Sequence, residues 1–245
     1  MELSIDETPE KLNRLCWTEK ERWQMMQSMH QAGLPVRSIC LSGHRKYPLG
    51  HPDPEMRKKS LQIMERAVGL AAETGIRIIQ IAGYDVYYEK STETTRSWFS
   101  ENLMRSVEMA AREGVILAIE TMETDFLNTV RKGMQWVRVV ESPYLQMYPD
   151  TGNIVNAAKA GNSDVLEDLG SGKGHIAALH LKESKPGIYR EVPFGTGHVD
   201  FGSIIPYACR MGNRRFLAEF WYDGGDDWAE KMKENNRFLR KFFPS

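Results

Sequence analysis

The sequence predicts an α/β barrel in which parallel strands alternate with helices. Short apolar runs alternate with long amphipathic stretches along all 245 residues, which is the pattern of repeated βα units. The length suits one barrel of this kind. Four of the apolar runs end directly before a residue that can bind a divalent metal, as is typical of strands whose carboxyl ends surround a site.

Composition excludes several classes of protein. Hydrophobic residues make up 41% of the chain and charged residues 27%, which is ordinary for a globular protein. The net charge of −1 gives no broad attraction to nucleic acid or to an anionic membrane, and no apolar run reaches the ~18 residues that a membrane span needs. The three cysteines lack CxxC spacing, so we expect reduced thiols and a cytoplasmic protein.

Seven apolar runs are predicted as strands, at residues 1–5, 38–41, 77–82, 115–119, 145–149, 176–180 and 216–219. A closed (β/α)8 TIM barrel has eight strands. We therefore expect one barrel domain over residues 1–245 that lacks its first βα unit and carries an unpaired edge between its first and last strands. An edge of this kind favours a homodimer.

Helices are predicted between the strands. The clearest covers residues 54–74, because Asp53 can cap its N-terminus, Pro54 suits its first turn and Gly75 follows its last residue. A second helix before Gly114 places apolar residues at 99, 103, 107 and 110 on one face. Further helices are expected at 19–32, 129–140, 201–211 and 227–243.

The candidate metal ligands are the four residues that follow strands: Glu120, Asp150, His180 and Glu219. Carboxylate and imidazole donors that converge from one edge of a parallel sheet form a metal pocket, and this set suits Mn²⁺, Zn²⁺, Co²⁺ or Mg²⁺. A single carboxylate at a strand end would as readily cap the next helix or pair with lysine. Four such residues in succession favour one divalent metal site.

Two of these ligands also predict a type of reaction. Glu120 and Glu219 end strands that lie three positions apart in barrel order, so they approach the pocket from roughly opposite sides. Opposed carboxylates suit removal of a proton from one face of a carbon and its return to the other face. A metal between them would polarise a carbonyl and stabilise the enediolate, which is the chemistry of epimerisation beside a ketone.

The motifs around these residues resemble those of the L-ribulose-5-phosphate/L-xylulose-5-phosphate 3-epimerases, a family of xylose-isomerase-like TIM barrels. The resemblance covers essentially the whole chain and rests on CLSGHR (40–45), IAGYDVYY (81–88), LAIE (117–120), YPDTGN (148–153), HLKESK (180–185), FGTG (194–197), DF (200–201) and AEFW (218–221). It implies a metal-dependent isomerase of L-ascorbate or related pentose catabolism. It also implies that the four candidate residues bind the metal and that Glu120 and Glu219 are the acid and base. Members of this family carry an additional βα unit before the strand that matches residues 1–5.

The expected partner is therefore a small molecule, a pentulose phosphate. Ser42, His44 and Arg45 follow a predicted strand, where Arg45 can grip phosphate with two hydrogen bonds, and Lys185 lies on the pocket side. The alternative for Arg45 and Lys185 is ordinary solvated loop charge. Lys182 shares one face of its strand with His180, but the sequence assigns it no role.

Three other functions remain open from the sequence. A related aldose–ketose isomerase would use the same donors. A DNA-repair endonuclease of the same superfamily would need a larger His-rich cluster and a basic groove, neither of which the sequence contains. An inactive protein that binds a sugar phosphate or a partner chain is favoured by the missing N-terminal unit, whereas the complete set of four ligands argues against it.

Overall fold

A computed structural model describes residues 1–222 and 224–244. Within these ranges the strands are β1 (Glu2–Ser4), β2 (Ser38–Leu41), β3 (Ile78–Ala82), β4 (Ile116–Glu120), β5 (Leu145–Tyr148), β6 (Leu179–Leu181) and β7 (Phe216–Ala218). The helices are α1 (Pro9–Leu12), α2 (Glu19–Ala32), α3 (Pro54–Thr74), α4 (Glu93–Arg112), α5 (Val130–Val140), α6 (Thr151–Ala160), α7 (Val165–Gly170), α8 (Phe201–Arg210) and α9 (Trp228–Arg240). No helix of the described chain is long and apolar enough to cross a membrane.

The chain divides into two compact units. The first comprises residues 1–120 and 135–146, and the second comprises residues 121–134 and 147–245. The prediction that one barrel domain covers residues 1–245 stays a prediction.

The first unit is built on a parallel sheet with the strand order β1-β2-β3-β4-β5, the last strand passing from the first unit into the second. Leu3 lies opposite Ile39, and Ala82 lies opposite Glu120. Because the strands are parallel, their carboxyl ends lie at one edge of the sheet, and the loops that follow β2, β3 and β4 start from that edge.

Helix α3 forms as its sequence signals predict. The side chain of Asp53 accepts a hydrogen bond from the backbone N–H of Glu55, and Pro54 occupies the first turn. Gly75 ends the helix with a φ of +77°, in the left-handed region that glycine adopts without strain. The predicted inward residues are buried, among them Ile63, Ala67, Leu70 and Ala71.

The second unit contains the parallel pair β6 and β7, in which His180 lies opposite Leu217. Isolated bridges join Met147 to Ile176 and Asp150 to His180. Its core packs one aromatic cluster beneath the pair, formed by Leu181, Phe201, Ile205 and Leu239 with Phe194, Phe216, Phe238, Phe242 and Phe243 around them.

The described residues thus form the seven strands that the sequence predicts, and the bounds of most of them differ from the prediction by one residue. The predicted strand at 176–180 is shifted, because regular pairing begins only at Leu179, where β7 is its neighbour. Helices α1, α6 and α7 were not predicted. The missed helix α6 begins directly after Asp150 and therefore bears on the site.

Candidate metal centre

Asp150 is held in a fixed orientation at the start of α6. Its side chain is fully buried, and its Oδ1 accepts a hydrogen bond of 2.8 Å from the backbone N–H of Asn153, which makes Asp150 the N-cap of the helix. Its own backbone N–H donates to Oγ1 of Thr121 at 2.9 Å. Hydrogen bonds of this kind orient a carboxylate in the way that outer-shell partners orient metal ligands.

His180 and Glu219 are brought together by the pairing of β6 and β7. The backbone N–H of Glu219 donates to the carbonyl of Leu181 at 2.9 Å, which extends the ladder by one residue beyond β7. The ring of His180 is buried against Tyr148, with 4.5 Å between ring centroids. Nδ1 of His180 lies 3.1 Å from Oε2 of Glu219.

The positions of these side chains fit a metal ion. One ligand atom each from Asp150, His180 and Glu219 lies within 4.8 Å of the others. Ligands of one ion lie at most twice the metal–ligand distance apart, which is about 4 to 5 Å for the common divalent metals. In addition, Oε2 of Glu219 is buried and has no hydrogen-bond partner of good geometry among the described residues. The second unit therefore contains a buried Glu/Asp/His group that can hold a metal.

The charge state of Glu219 suits metal binding. Burial would raise the pKa of its carboxyl group, but the positive charge of Lys182 and the contact with His180 outweigh burial and lower that pKa to about 2. Glu219 is therefore ionised at neutral pH.

Lys182 and Asn153 belong to the same site, although the sequence assigned neither of them a role. The ammonium group of Lys182 is buried 3.1 Å from Oδ1 of Asp150, and it donates to Oδ1 of Asn153 at 2.9 Å. The amide of Asn153 in turn donates to the carbonyl oxygen of Thr121 at 2.7 Å. The one sequence signal for Lys182 was its position two residues after His180, which places both side chains on the same face of β6.

Glu120, the remaining predicted ligand, belongs to the first unit and is the last residue of β4. It is 7% exposed, and Oε2 accepts a hydrogen bond from the amide of Gln80, which is fully buried on β3. Its carbonyl oxygen accepts a hydrogen bond of 3.2 Å from the backbone N–H of Gly83. The residue therefore lies at the carboxyl end of its strand, as predicted, with its carboxylate oriented by a neighbouring strand.

A family model decides the classification. The model of the xylose isomerase-like TIM barrel matches residues 1–242. The chain belongs to this family. The classification confirms the predicted fold class, an α/β barrel of the TIM type.

Curated relatives in this family are similar over nearly the whole chain. The L-ribulose-5-phosphate 3-epimerase UlaE of Escherichia coli O157:H7 (strain EC4115 / EHEC) is 40% identical over 241 residues, which are 98% of this chain and 84% of that protein. The protein of the same name from Shigella flexneri is 40% identical over 233 residues, 95% of this chain and 81% of its own.

Solved structures of several sugar epimerases share the fold at low sequence identity. A D-psicose 3-epimerase of Clostridium cellulolyticum H10, solved with D-tagatose, has a TM-score of 0.79 and 16% identity, with 100% of this chain and 89% of that chain covered. An L-ribulose 3-epimerase has a TM-score of 0.72 and 15% identity, with 99% and 92% covered.

The predicted phosphate ligands of this family member occupy different environments. Ser42 and His44 lie in a short 3-10 helix after β2. His44 is buried, with Nε2 3.2 Å from the carbonyl oxygen of Ser60. Burial lowers the pKa of the imidazole to about 4, although the contact with Ser60 acts in the opposite direction. The imidazole is therefore neutral at pH 7, and the phosphate role of His44 stays a prediction.

Arg45 is better placed than His44 to bind a phosphate group. Its guanidinium lies over the ring of Tyr87, 5.1 Å from the centroid, and its Nε is buried with no hydrogen-bond partner among the described residues. Burial would lower the pKa of Arg45, but Tyr84, Tyr87 and Glu7 outweigh burial and raise it. The side chain is therefore a permanent cation, and it makes a hydrogen bond with the side chain of Tyr84.

Lys185 lies on an exposed turn of the second unit, where its backbone pairs with Ile188. Hydrogen bonds to Glu183 anchor the loop that follows this turn. The buried Glu183 carboxylate accepts hydrogen bonds from the backbone N–H groups of Ser184 (3.0 Å), Gly195 (3.0 Å) and Val199 (3.1 Å). The loop is thus anchored to the residue next to Lys182.

Gly197 is required by this anchoring. A Cβ atom at this position would overlap both the carbonyl oxygen of Ser184 and Oε1 of Glu183. We expect Gly197→Ala to reduce the free energy of unfolding by about 2 to 3 kcal/mol, measured by urea denaturation. The matched control is Gly69→Ala in α3, where a Cβ meets nothing within 4 Å and alanine favours the helix. Equal stability of the two variants would show that the loop shifts freely.

Proposed function

We propose that this protein is a divalent-metal-dependent 3-epimerase that interconverts L-xylulose 5-phosphate and L-ribulose 5-phosphate. The pathway that we propose is L-ascorbate or related pentose catabolism. The observation that carries the proposal is the convergence of Asp150, His180 and Glu219 in a chain that is 40% identical to curated L-ribulose-5-phosphate 3-epimerases. The alternatives of an aldose–ketose isomerase and of an inactive binding protein become outcomes of the test below.

Glu120 is the proposed fourth ligand. It is covalently joined to Thr121, and consecutive Cα atoms are about 3.8 Å apart. Thr121 in turn accepts hydrogen bonds from the backbone of Asp150 and from the side chain of Asn153. We propose, from the position of Glu120 at the carboxyl end of β4, that its carboxylate is a ligand of the same ion as Asp150, His180 and Glu219.

The two glutamates are the proposed acid and base. In one direction the ionised Glu219 removes the C3 proton from one face of the sugar, and Glu120 in its protonated form delivers its proton to the other face. Proton exchange with solvent then returns both carboxyl groups to their starting states. In the reverse direction the roles are exchanged. A bound divalent ion supplies Lewis-acid polarisation of the C2 carbonyl and of the neighbouring hydroxyl. The lowered pKa of Glu219 supports its role as the ionised partner at neutral pH.

Arg45 is the proposed phosphate anchor, with Ser42 as a neighbouring hydroxyl donor. Both residues follow β2, so they lie at the edge of the first unit's sheet where β4 ends in Glu120. Arginine pairs with phosphate through two charge-assisted hydrogen bonds. Lys185 stays a candidate for the same substrate group, on the sole ground of its position after β6.

The test is a nuclear magnetic resonance assay of the purified protein in D2O with L-ribulose 5-phosphate. We expect loss of the C3 proton signal and appearance of L-xylulose 5-phosphate, both abolished by EDTA and restored by Mn²⁺ or Co²⁺. Exchange at C1 with formation of an aldose phosphate would instead identify an isomerase. No exchange with any pentulose phosphate in the presence of each of the four candidate metals would overturn the proposal and favour an inactive binding protein.

A further inference from the structure

Lys182 is an unusual neighbour for a proposed metal site. It is 5% exposed and lies among acidic groups that are expected to bind a cation. Its backbone N–H donates to Oγ1 of Thr151 at 2.8 Å, and that hydroxyl donates back to the carbonyl of Lys182 at 2.9 Å. Gly152 leaves room for the lysine stem, because a Cβ there would lie 3.1 Å from Cε of Lys182. The first turn of α6 therefore packs closely against Lys182 and the two residues that follow it.

The charge of the site explains what such a cation can do. If both are ionised, the carboxylates of Asp150 and Glu219 carry two negative charges in the second unit, and the ammonium group of Lys182, 3.1 Å from Oδ1 of Asp150, reduces the total to −1. A divalent ion would change the total for these three side chains to +1. Removal of the lysine would make the total −2 without a metal and zero with one. Burial of uncompensated charge is costly, and the cost grows steeply with net charge.

We propose that Lys182 is a built-in counter-ion that keeps the acidic cluster assembled when no metal is bound. It pairs with Oδ1 of Asp150, the oxygen that also caps α6, and it balances part of the carboxylate charge that a metal otherwise neutralises. The inference rests on the proposed metal site. The positive charge of Lys182 in this site lowers the affinity for the metal and stabilises the metal-free state.

Two other roles for Lys182 predict different results. If the lysine only fills space, its loss lowers the stability of the metal-free and metal-bound proteins equally. If it mainly orients Asp150 as a ligand, its loss weakens metal binding. A counter-ion has the opposite signature: its loss destabilises the metal-free protein most, so by linkage the metal binds more tightly to the variant.

The experiment compares the wild-type protein with Lys182→Met and Lys182→Arg by thermal unfolding in EDTA and in excess Mn²⁺, with Mn²⁺ affinity measured by isothermal titration calorimetry. We expect Lys182→Met to bind Mn²⁺ at least tenfold more tightly than the wild type, whereas Lys182→Arg keeps the charge and stays within about threefold. A tenfold change in affinity corresponds to about 1.4 kcal/mol, so the rise in Tm on adding Mn²⁺ should be larger by about 3 to 5 °C in Lys182→Met.

The control is Lys173→Met, which removes an exposed lysine of the same unit. It should leave the Mn²⁺ affinity and the rise in Tm on adding Mn²⁺ unchanged. A Lys182→Met protein that folds only when Mn²⁺ is present would support the proposal. Equal or weaker Mn²⁺ binding by Lys182→Met would overturn it. If the Tm of the wild-type protein does not rise with Mn²⁺, the proposed metal site is wrong. This result differs from equal or weaker Mn²⁺ binding by Lys182→Met, which would overturn only the role of Lys182.

Discussion

Replacement of Glu219 by glutamine is expected to lower the rate of C3 proton exchange at least about 1000-fold, and the same is expected of Glu120→Gln. The amide keeps the size of the side chain and one oxygen that can bind a metal, but it cannot accept the substrate proton. Loss of a positioned general base costs about 100- to 10,000-fold in rate, and weakened metal binding adds to this loss. The measurement is solvent deuterium incorporation at C3 of L-ribulose 5-phosphate, followed by nuclear magnetic resonance.

Metal content must be measured on the same samples, because both glutamates are proposed ligands as well as bases. Loss of exchange in variants saturated with Mn²⁺ assigns the proton transfer to the carboxylates. The matched control is Glu167→Gln, an exposed residue of the second unit whose only described role is a surface ion pair with Arg131. Retained exchange in both Glu120→Gln and Glu219→Gln would remove the two residues as acid and base.

Glu120, Asp150 and Glu219 lie at or just beyond the carboxyl ends of strands, as the sequence predicted, whereas His180 lies in the middle of β6. Their role as metal ligands stays a prediction. An apolar run that stops at a polar residue marks the carboxyl end of a strand, and the parallel pairing of β6 with β7 then brings His180 close to Glu219. Neither inference needs knowledge of side-chain packing. The same local reasoning predicted α3 correctly, because Asp53, Pro54 and Gly75 act on the backbone next to them.

The supporting residues could not be predicted in this way. Helix α6 was missed because it opens on Thr151 and Gly152, which are weak helix formers. Its glycine is explained by the close packing of residues 182–184 against it. The role of Lys182 depends on a contact with Asp150, 32 residues away in the chain. Tertiary packing of this kind overrides local propensity.

The sequence also could not predict how two of the candidate phosphate ligands, His44 and Arg45, are packed. Both follow β2 and both carry donors, so the sequence treats them alike. In the structure, His44 turns inward to the carbonyl of Ser60, whereas Arg45 stacks on Tyr87. Neighbouring residues in a short 3-10 helix point in different directions, and only the packing decides which side chain is buried.

Removal of the Arg45 charge is expected to separate two substrates that differ only in the phosphate group. We expect Arg45→Met to lower kcat/KM for L-ribulose 5-phosphate by about 100- to 1000-fold, since two charge-assisted hydrogen bonds contribute about 3 to 4 kcal/mol. The value for unphosphorylated L-ribulose should change less than about threefold, because the metal and the glutamates are untouched. Arg45→Lys should give an intermediate loss, since lysine keeps the charge but not the paired geometry.

The comparison of substrates makes this test independent of any general damage to the protein. A variant that is merely destabilised loses activity on both ketoses in the same proportion, and the Tm of Arg45→Met measures that effect directly. Arg105→Met is the matched control, because Arg105 is an exposed arginine of the same unit that pairs with Glu101 on α4. If Arg45→Met lowers kcat/KM equally for the two substrates, Arg45 supports the fold through Tyr87, and the phosphate is bound elsewhere.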